Sequence, residues 1–473
     1  MKSNRALLLI ALLTVVTLSA ASWAQDTGSI TGMVKDPSGA AVTGANVTVT
    51  SPDRAITRQT VTNSAGEYNA SALPAGKYDI EVSAGGFKKF AAKGVVLDVA
   101  QKARVDIALQ VGAINTEVVV EGAAVAQVET QSSELAGTVT GKEISQLELN
   151  GRNFTQLVTL VPGVSNQTGQ DEGAEGLNGS VQYSMNGGRV EYNNWEVDGG
   201  DNMDNGSNAT LNVFVSLDAI SEFKVLTSNY GAQYGRNGSG TVEVETKSGT
   251  KAFHGDAYEF VRNNAFNAKN IVLYTTPDYK KNDWGYTVGG PVYIPKLYNR
   301  NRDKTFFFWS QEWRRDIVPG QSFNQLVPSV AERGGDFSDL CPNLNSGTAS
   351  DFSDCPAVPG FINAAGYTPN LNVIPTFNAN DPNVQALLGM ISLPTTGVPG
   401  AEVFQSSPAQ GTDWREELVR VDHNFNDKLS AMFRYVHDSW TTTNAVPLWT
   451  NGGTFPTIQT AMKEPAVSMV ARL

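Results

Sequence analysis

The sequence is poor in the residues that build metal and redox sites. Only two cysteines, Cys341 and Cys355, and three histidines occur among 473 residues, and none stands in a CxxC or HExxH pattern. Zinc sites need several such ligands at close spacing. We therefore expect no metal, no cofactor, no catalytic residue set and no enzymatic activity. Both cysteines lie in one stretch rich in glycine, proline and asparagine. In an exported protein this indicates a local disulfide, with two free thiols as the alternative.

Positive charge is also scarce. The chain has 35 Lys and Arg against 47 Asp and Glu, a formal net charge of -12. Such acidity argues against a nucleic-acid partner. Residues 113–250 hold 18 acidic and 6 basic residues, whereas residues 27–112 hold 7 acidic and 9 basic ones. The imbalance is therefore concentrated in one middle segment.

Long hydrophobic runs are absent after the first residues. Lys2 and Arg5 precede an apolar run from Ala6 to Val16, which leads to the small residues before Ala24. This pattern predicts a secretory signal peptide over residues 1–24, cleaved after Ala24. An uncleaved anchor is the alternative, although the run is shorter than the roughly 20 residues that span a bilayer. Any later membrane insertion must use a barrel, since only helices and closed barrels satisfy their backbone in lipid.

The rest of the sequence has the composition expected of β-structure. Glycine is frequent (45 residues), and valine, threonine and asparagine recur throughout. Valine and threonine favour strands, while glycine and asparagine favour turns. Over residues 27–112, short strand patterns alternate with turn clusters such as Asp36–Gly39 and Asn63–Gly66, and Tyr78, Ile80 and Val82 face inward at period 2. This spacing predicts a seven-stranded, prealbumin- or Ig-like β-sandwich.

The order GxVxDPxGAxVxGAxVxV, TNxxGxY, LPxGxYxIxV and GF in this sandwich resembles the carboxypeptidase regulatory-like domain. The resemblance implies a non-catalytic module, and the zinc ligands of a carboxypeptidase are missing. A spacer and a binding module remain equally open interpretations.

Residues 113–124 form a linker that contains Glu117, Val118, Val119 and Val120. By itself, this valine run favours a last sandwich strand. Because it directly precedes the next folded unit, it resembles the TonB box of energised outer-membrane transporters. The resemblance implies pairing with the periplasmic domain of TonB, and extended β-branched residues suit such strand addition.

Residues 125–250 carry the phrases LNGRNFTQL, LVPGV, MNGGR, VDGGDN, SLDAISEFKV and SNYGAQYGRNGSGTVEVETKSGT. In this order they resemble the α+β plug domain of Oar-like TonB-dependent receptors. The apolar spacing predicts two short helices broken at Asn150–Gly151. Asp198, Asp201 and Asp204 offer oxygen ligands for calcium, but their order does not fit an EF-hand, and we interpret them as a solvated turn.

Residues 251–473 alternate apolar and polar side chains in long segments. Around a turn at Asn426–Asp427, Val421 and Phe433 alternate with Arg420 and Arg434, as in a transmembrane barrel with a wet lumen. The aromatic run Phe306–Trp309 fits an interfacial girdle, with a soluble sheet core as the alternative. We count roughly six strands, against about 22 in energised transporters. We therefore expect an incomplete antiparallel barrel and an N-terminal fragment of a longer product.

The resemblances together imply an outer-membrane, TonB-dependent receptor that imports an extracellular ligand through a plugged barrel. The N-terminal domain is expected in the periplasm and the barrel in outer-membrane lipid. The ligand stays open, with siderophore, vitamin, oligosaccharide and peptide as candidates for binding. An adhesin or structural protein anchored by the barrel is the alternative. A periplasmic hydrolase is disfavoured because no nucleophile or metal motif supports it.

Overall fold

The computed structural model describes residues 27–113, 116–121, 131–167, 179, 181–269, 278–318, 323–336, 380–398, 401–406, 409–444 and 460–473. Ala24, Cys341 and Cys355 lie outside these residues, so the cleavage site and the disulfide stay predictions. Among the described residues, no helix combines the length and apolarity needed to span a bilayer.

Residues 27–121 form a sandwich of two sheets. Its strands are β1 Gly28–Lys35, β2 Asn46–Ser51, β3 Ile56–Val61, β4 Glu67–Leu73, β5 Gly76–Ser83, β6 Lys89–Leu97, β7 Lys102–Arg104, β8 Ile107–Ala108 and β9 Glu117–Glu121. One sheet has the order β4-β1-β7, with β8 also on β1, and the other has the order β3-β2-β5-β6-β9. Since β7 and β8 are two halves of one interrupted strand along β1, the seven predicted strands are present.

The sandwich core follows the predicted alternation. Tyr78, Ile80 and Val82 of β5 are buried and pack with Val47 and Val49 of β2. The unexpected member of the fold is β9, because the linker adds an eighth strand to the sandwich.

The plug is built around one mixed sheet. Its elements are β10 Leu135–Thr140, α1 Gly141–Gln146, β11 Val164–Asn166, β12 Tyr183–Met185, β13 Asn194–Val197, β14 Gly200–Asp201, β15 Ile220–Ser228 and β16 Thr241–Thr246. The sheet order is β10-β15-β16-β13-β14, and β11 pairs separately with β12. A Thr140–Glu143 capping box starts α1.

The predicted helix break falls where the sequence places it. Short 3₁₀ helices cover Asn150–Arg152 and Phe154–Leu160, and Gly151 between them takes a left-handed conformation with φ of 69°. Further single 3₁₀ turns lie at Val190–Tyr192, Leu217–Ala219, Asn264–Phe266 and Glu332–Gly334.

Beyond the plug, six long strands form one antiparallel wall. The elements of this region are β17 His254–Asn263, β18 Lys280–Pro291, β19 Thr305–Val318, β20 Phe323–Leu326, α2 Pro382–Gly389, β21 Thr396–Val398, β22 Ala401–Ser406, β23 Gln410–Asn426, β24 Leu429–Asn444 and β25 Thr460–Arg472. The wall has the order β17-β18-β19-β23-β24-β25, while β20, β22 and β21 make a separate small sheet. The six predicted strands and the open sheet are confirmed.

One side of the wall faces the plug. Arg420 and Arg434 are buried on that side, whereas Phe425 and Phe433 are exposed on the other, as the alternation predicts. The girdle interpretation is wrong for two aromatic residues, because Phe306 and Phe308 are buried on the inner side. The run is aromatic on both faces, so period 2 could not assign its sides.

A single arginine organises the described part of the long connection between β19 and β23. Arg333 donates hydrogen bonds to the carbonyl groups of Pro328, Leu388, Ile391 and Ser392 at 2.6–3.1 Å. Since the last carbonyls of a helix lack intrahelical partners, Arg333 thereby caps α2.

Candidate functional site

The predicted TonB box forms strand β9 at the edge of the sandwich. β9 runs parallel to β6, with Lys89 opposite Glu117 and Lys93 opposite Glu121. The Lys89 amide donates to the Thr116 carbonyl at 2.9 Å. The residues that resemble a box are thus extended, as strand addition requires, but they are already paired on one side.

The sandwich contacts the plug through one turn. The amide of Val99 donates to Glu222 Oε1 on β15 at 2.5 Å, and Lys224 Nζ lies 3.4 Å from the Ala100 carbonyl oxygen. Burial, and after it the nearby Asp98, raise the pKa of Glu222 to about 8. The contact therefore joins two carboxyl groups that are hard to ionise together.

The sandwich also contacts the barrel wall. Arg58 Nη1 donates to the Asp427 carbonyl at 2.8 Å, and Asn424 Nδ2 donates to the Arg54 carbonyl at 2.9 Å. Asp427 belongs to the β23–β24 turn, so the sandwich lies at the turn end of these strands.

A buried ion cluster joins the plug to the wall, and Asp198 is at its centre. Arg420 Nη1 lies 3.1 Å from Asp198 Oδ1, and Arg434 Nε lies 3.0 Å from Asp198 Oδ2. Arg420 also contacts Glu245 of β16 at 2.9 Å, and the Thr246 amide donates to Asp198 at 2.9 Å. Burial alone would raise the pKa of Asp198, but Arg420 and Arg434 hold it below its usual value.

Local sequence explains how the carboxylate reaches this position. Asp198 and Gly199 connect β13 to β14 with φ of 49° and 74°. Positive φ at both central residues defines the type I′ hairpin turn, for which Asp-Gly is a preferred pair. The turn projects Asp198 from the plug toward the wall.

The wall presents a like-charge pair to this turn. Arg420 and Arg434 are directly opposite each other on β23 and β24. Like charges opposite each other in a sheet repel. An anion between them relieves that repulsion, so Asp198 is electrostatically complementary to the wall.

A second plug contact is aromatic. Phe214 packs against Trp414 and Trp440 of the wall, and its ring centroid lies 5.6 Å from that of Trp414 and 6.4 Å from that of Trp440. The Arg314 guanidinium lies 5.2 Å from the Phe214 ring centroid, within cation–π range. The Phe214 amide donates to Asp438 Oδ2 at 2.7 Å, so ring and backbone both bind the wall.

The acidic turn is only partly as predicted. Asp204 is exposed and accepts hydrogen bonds from the Gly206 and Ser207 amides, which fits a solvated turn. For Asp198 the interpretation is wrong, because its side chain is buried between two arginines. No cluster of potential metal ligands occurs in the part of the chain that the structure describes.

Sequence analysis missed the Asp198 cluster and the Phe214 contact. A partial signal for the first existed: Arg420 and Arg434 both belong to the polar set of two strands joined by a short turn, and a register shift at Asn424–Asn426 brings them opposite each other. Two facing arginines on a lumen side predict an anionic partner. Phe214 offered no comparable signal, since its contacts depend on where the plug docks.

Three family matches follow one another along the chain. Residues 29–110 match the carboxypeptidase regulatory-like domain, residues 128–242 the TonB-dependent receptor plug domain, and residues 245–471 an outer membrane beta barrel domain. A curated relative, the TonB-dependent transporter Oar of Myxococcus xanthus, is 25% identical over 270 residues. That match covers 53% of this chain and 24% of the relative, so the chain spans about a quarter of the relative's length.

Solved structures of low identity are also similar. The outer membrane transporter YddB of Escherichia coli is 12% identical at a TM-score of 0.41, covering 71% of this chain and 36% of that one. The ferric enterobactin receptor PfeA of Pseudomonas aeruginosa is 14% identical at a TM-score of 0.35, with 65% and 33% covered.

A plug domain packed against the inner face of an antiparallel wall is the arrangement of a plugged-barrel receptor, and the family models for both parts match in this order. With the three family matches in this order and the curated relative, the chain belongs to the Oar-like TonB-dependent receptors that carry an N-terminal carboxypeptidase regulatory-like domain.

Proposed function

We propose that this chain supplies the gating part of a receptor that binds an extracellular ligand and imports it through a plugged β-barrel. The Asp198 cluster carries the proposal. It joins the plug to the inner face of the wall. A plug seated in this way blocks the lumen, so passage of a ligand requires work on the plug.

The energy is proposed to come from the inner membrane through the periplasmic domain of TonB, acting on Glu117, Val118, Val119 and Val120. Two observations support this assignment. The segment is extended, and it lies between the sandwich and the plug in the chain. An extended segment can pair with a partner strand, and a pull on it reaches the plug that follows.

The proposed arrangement assigns each segment to a compartment. Residues 1–24 are removed after Ala24, and the sandwich of residues 27–112 and the linker of residues 113–124 lie in the periplasm. The plug of residues 125–250 fills a barrel that residues 251–473 begin to form in outer-membrane lipid. Cys341 and Cys355 are proposed to form a disulfide in an external loop. The proposal includes no catalytic step, no cofactor and no nucleic acid.

The ligand is proposed only as an extracellular molecule, with siderophore, vitamin, oligosaccharide and peptide as candidate classes. The alternative function is an adhesin or structural protein that uses the barrel as an anchor. One observation favours that alternative: β9 is paired with the sandwich, as expected of a purely structural strand.

The test is binding of the full chain in detergent to the purified periplasmic domain of a TonB protein. The informative variant is Val118→Pro with Val119→Pro, because two adjacent prolines remove donors on both edges of the strand. The matched control is Val61→Pro in β3, an exposed valine at the opposite edge of the same sheet.

We expect the wild type and Val61→Pro to bind and the double proline variant to lose binding. Absence of binding by the wild type, in conditions where the protein is folded, would favour the adhesin or structural function instead.

A further inference from the structure

The strand β9 lies at the end of its sheet and has one paired edge. The bond from the Lys89 amide to the Thr116 carbonyl sets the direction of the peptide groups that follow. In a parallel ladder in this register, the backbone groups of Val118 and Val120 face β6, and those of Glu117 and Val119 face away. No strand within the described ranges pairs with that outer edge.

We propose that the periplasmic TonB domain adds a strand to the outer edge of β9 while β9 stays in the sandwich sheet. The five-stranded sheet would then continue into the partner as an intermolecular sheet. This inference rests on the proposed function. It further states that the partner uses the outer edge of β9 and that β9 need not first be released from β6.

Addition at the outer edge leaves existing contacts intact. Val118 and Val120 are half-buried, whereas Val119 is 52% exposed. Release of β9 from β6 would break the ladder from Lys89 to Lys93 and uncover Val118 and Val120. A strand that joins the outer edge instead satisfies backbone groups that water now solvates.

The exposed side chains define the chemistry of the partner strand. Val119 offers an apolar contact, and the exposed Glu121 offers a negative charge at the end of the strand. The complementary partner is an extended strand with an apolar residue at its centre and a lysine or arginine opposite Glu121.

The sandwich would then share the load that the partner applies. It contacts the plug through the Val99–Glu222 hydrogen bond and the wall through Arg58. A pull on a composite sheet therefore acts on these contacts as well as on the linker to the plug.

The decisive experiment locks β9 in place. Lys93 and Glu121 are register partners and both are exposed. Neighbouring strands lie about 4.8 Å apart, within the Cα separation that a disulfide tolerates. Lys93→Cys with Glu121→Cys is introduced into the full chain together with Cys341→Ser and Cys355→Ser, so that only the engineered bridge forms.

Affinity for the TonB domain is measured before and after reduction. We expect the oxidised and reduced forms to differ by no more than about twofold, because the bridge does not occupy the outer edge. A loss of about tenfold or more on oxidation, restored by reductant, would show that release is required and would overturn the inference.

Two single proline variants test independently which edge of β9 the partner uses. Val119→Pro removes an outward donor and Val118→Pro removes a donor that faces β6. We expect Val119→Pro to lower affinity for the TonB domain about tenfold or more, because one intermolecular backbone hydrogen bond is lost and the adjacent bonds are disturbed. We expect Val118→Pro to lower this affinity less. The opposite order would overturn the inference. In both experiments, binding of the wild type to the TonB domain tests the proposed function. If the wild type binds and only the cross-linked form fails to bind, addition at the outer edge is refuted. If the wild type does not bind, TonB as the partner is refuted.

Discussion

The seating of the plug depends on Asp198, and Asp198→Asn tests this with little change in shape. The carboxylate accepts hydrogen bonds from Arg420 and from the Thr246 amide and forms an ion pair with Arg434, all within 3.1 Å. Asparagine keeps one acceptor oxygen but removes the charge and places an amide group near a guanidinium. The facing pair Arg420 and Arg434 is then left without the anion between them.

The size of the effect follows from burial. Removing one partner of a buried ion pair costs about 3–5 kcal/mol, because the other charge remains out of water. Arg420 keeps Glu245 at 2.9 Å and Asp422 at 3.2 Å, whereas Arg434 loses its ion pair with Asp198. We therefore expect the lower end, about 3 kcal/mol, which corresponds to a change on the order of 100-fold in an equilibrium constant.

Hydrogen exchange at the amides of β16 measures this cost, since local opening exposes a strand without global unfolding. The matched control is Asp201→Asn, an acidic plug residue whose ion pair with Arg236 is exposed. Exposed pairs contribute up to about 1 kcal/mol, so exchange in the control should rise about fivefold at most.

A double variant separates the ion pair from a general weakening of the plug. Arg434→Met added to Asp198→Asn removes the uncompensated charge, and we expect it to recover about 1–2 kcal/mol of the loss. Equal exchange in Asp198→Asn and Asp201→Asn, or no recovery in the double variant, would refute the role given to the cluster.

Two further predictions concern the other plug contacts. Burial raises the pKa of Glu222 to about 8, so Glu222 of the plug holds a proton when the sandwich is docked and releases it in the undocked state, where its pKa is about 4.3. The free energy of docking the sandwich on the plug should therefore weaken by about 1 kcal/mol per pH unit as pH rises from about 5 to about 8, and it should stay constant at higher pH. Hydrogen exchange of the Val99 amide, corrected for its intrinsic pH dependence, measures this change. Glu222→Gln should flatten the dependence while the exposed Glu148→Gln should not, and an unchanged slope in Glu222→Gln would contradict the assignment. Phe214→Ala should destabilise the plug by about 3 kcal/mol in denaturant unfolding and alter tryptophan fluorescence, because the ring is buried against Trp414 and Trp440. The control is Phe266→Ala, at an exposed phenylalanine. Equal effects in both variants would argue against the contact.

Sequence reasoning succeeded where a local pattern fixes the structure. The alternation of apolar and charged residues around Asn426–Asp427 predicts that Arg420 and Arg434 lie on one face, because side chains in a strand alternate and the apolar pattern specifies the register. The break at Gly151 was equally local, since glycine readily takes the left-handed conformation found there.

It failed where an assignment depends on distant parts of the chain. Period 2 separates Phe306 and Phe308 from Phe307 and Trp309, but it does not say which set faces lipid. The pairing of β9 with β6 was open for the same reason: the valine run by itself favours a sandwich strand, whereas its position before the plug favoured a free box.

The chemistry of the plug–wall contact reconciles firm seating with movement. Phe223, Val225 and Val244 belong to an apolar cluster made mostly of plug residues, and Trp414 and Trp440 of the wall are part of the same cluster. Asp198, Arg420 and Arg434 are buried only while the plug is seated. When the plug shifts, water can reach these charges, and their hydration offsets part of the lost attraction. An apolar contact of the same area would regain no favourable hydration on exposure to water. The ionic part of the contact therefore stabilises the seated plug while water is excluded, and it weakens once water enters.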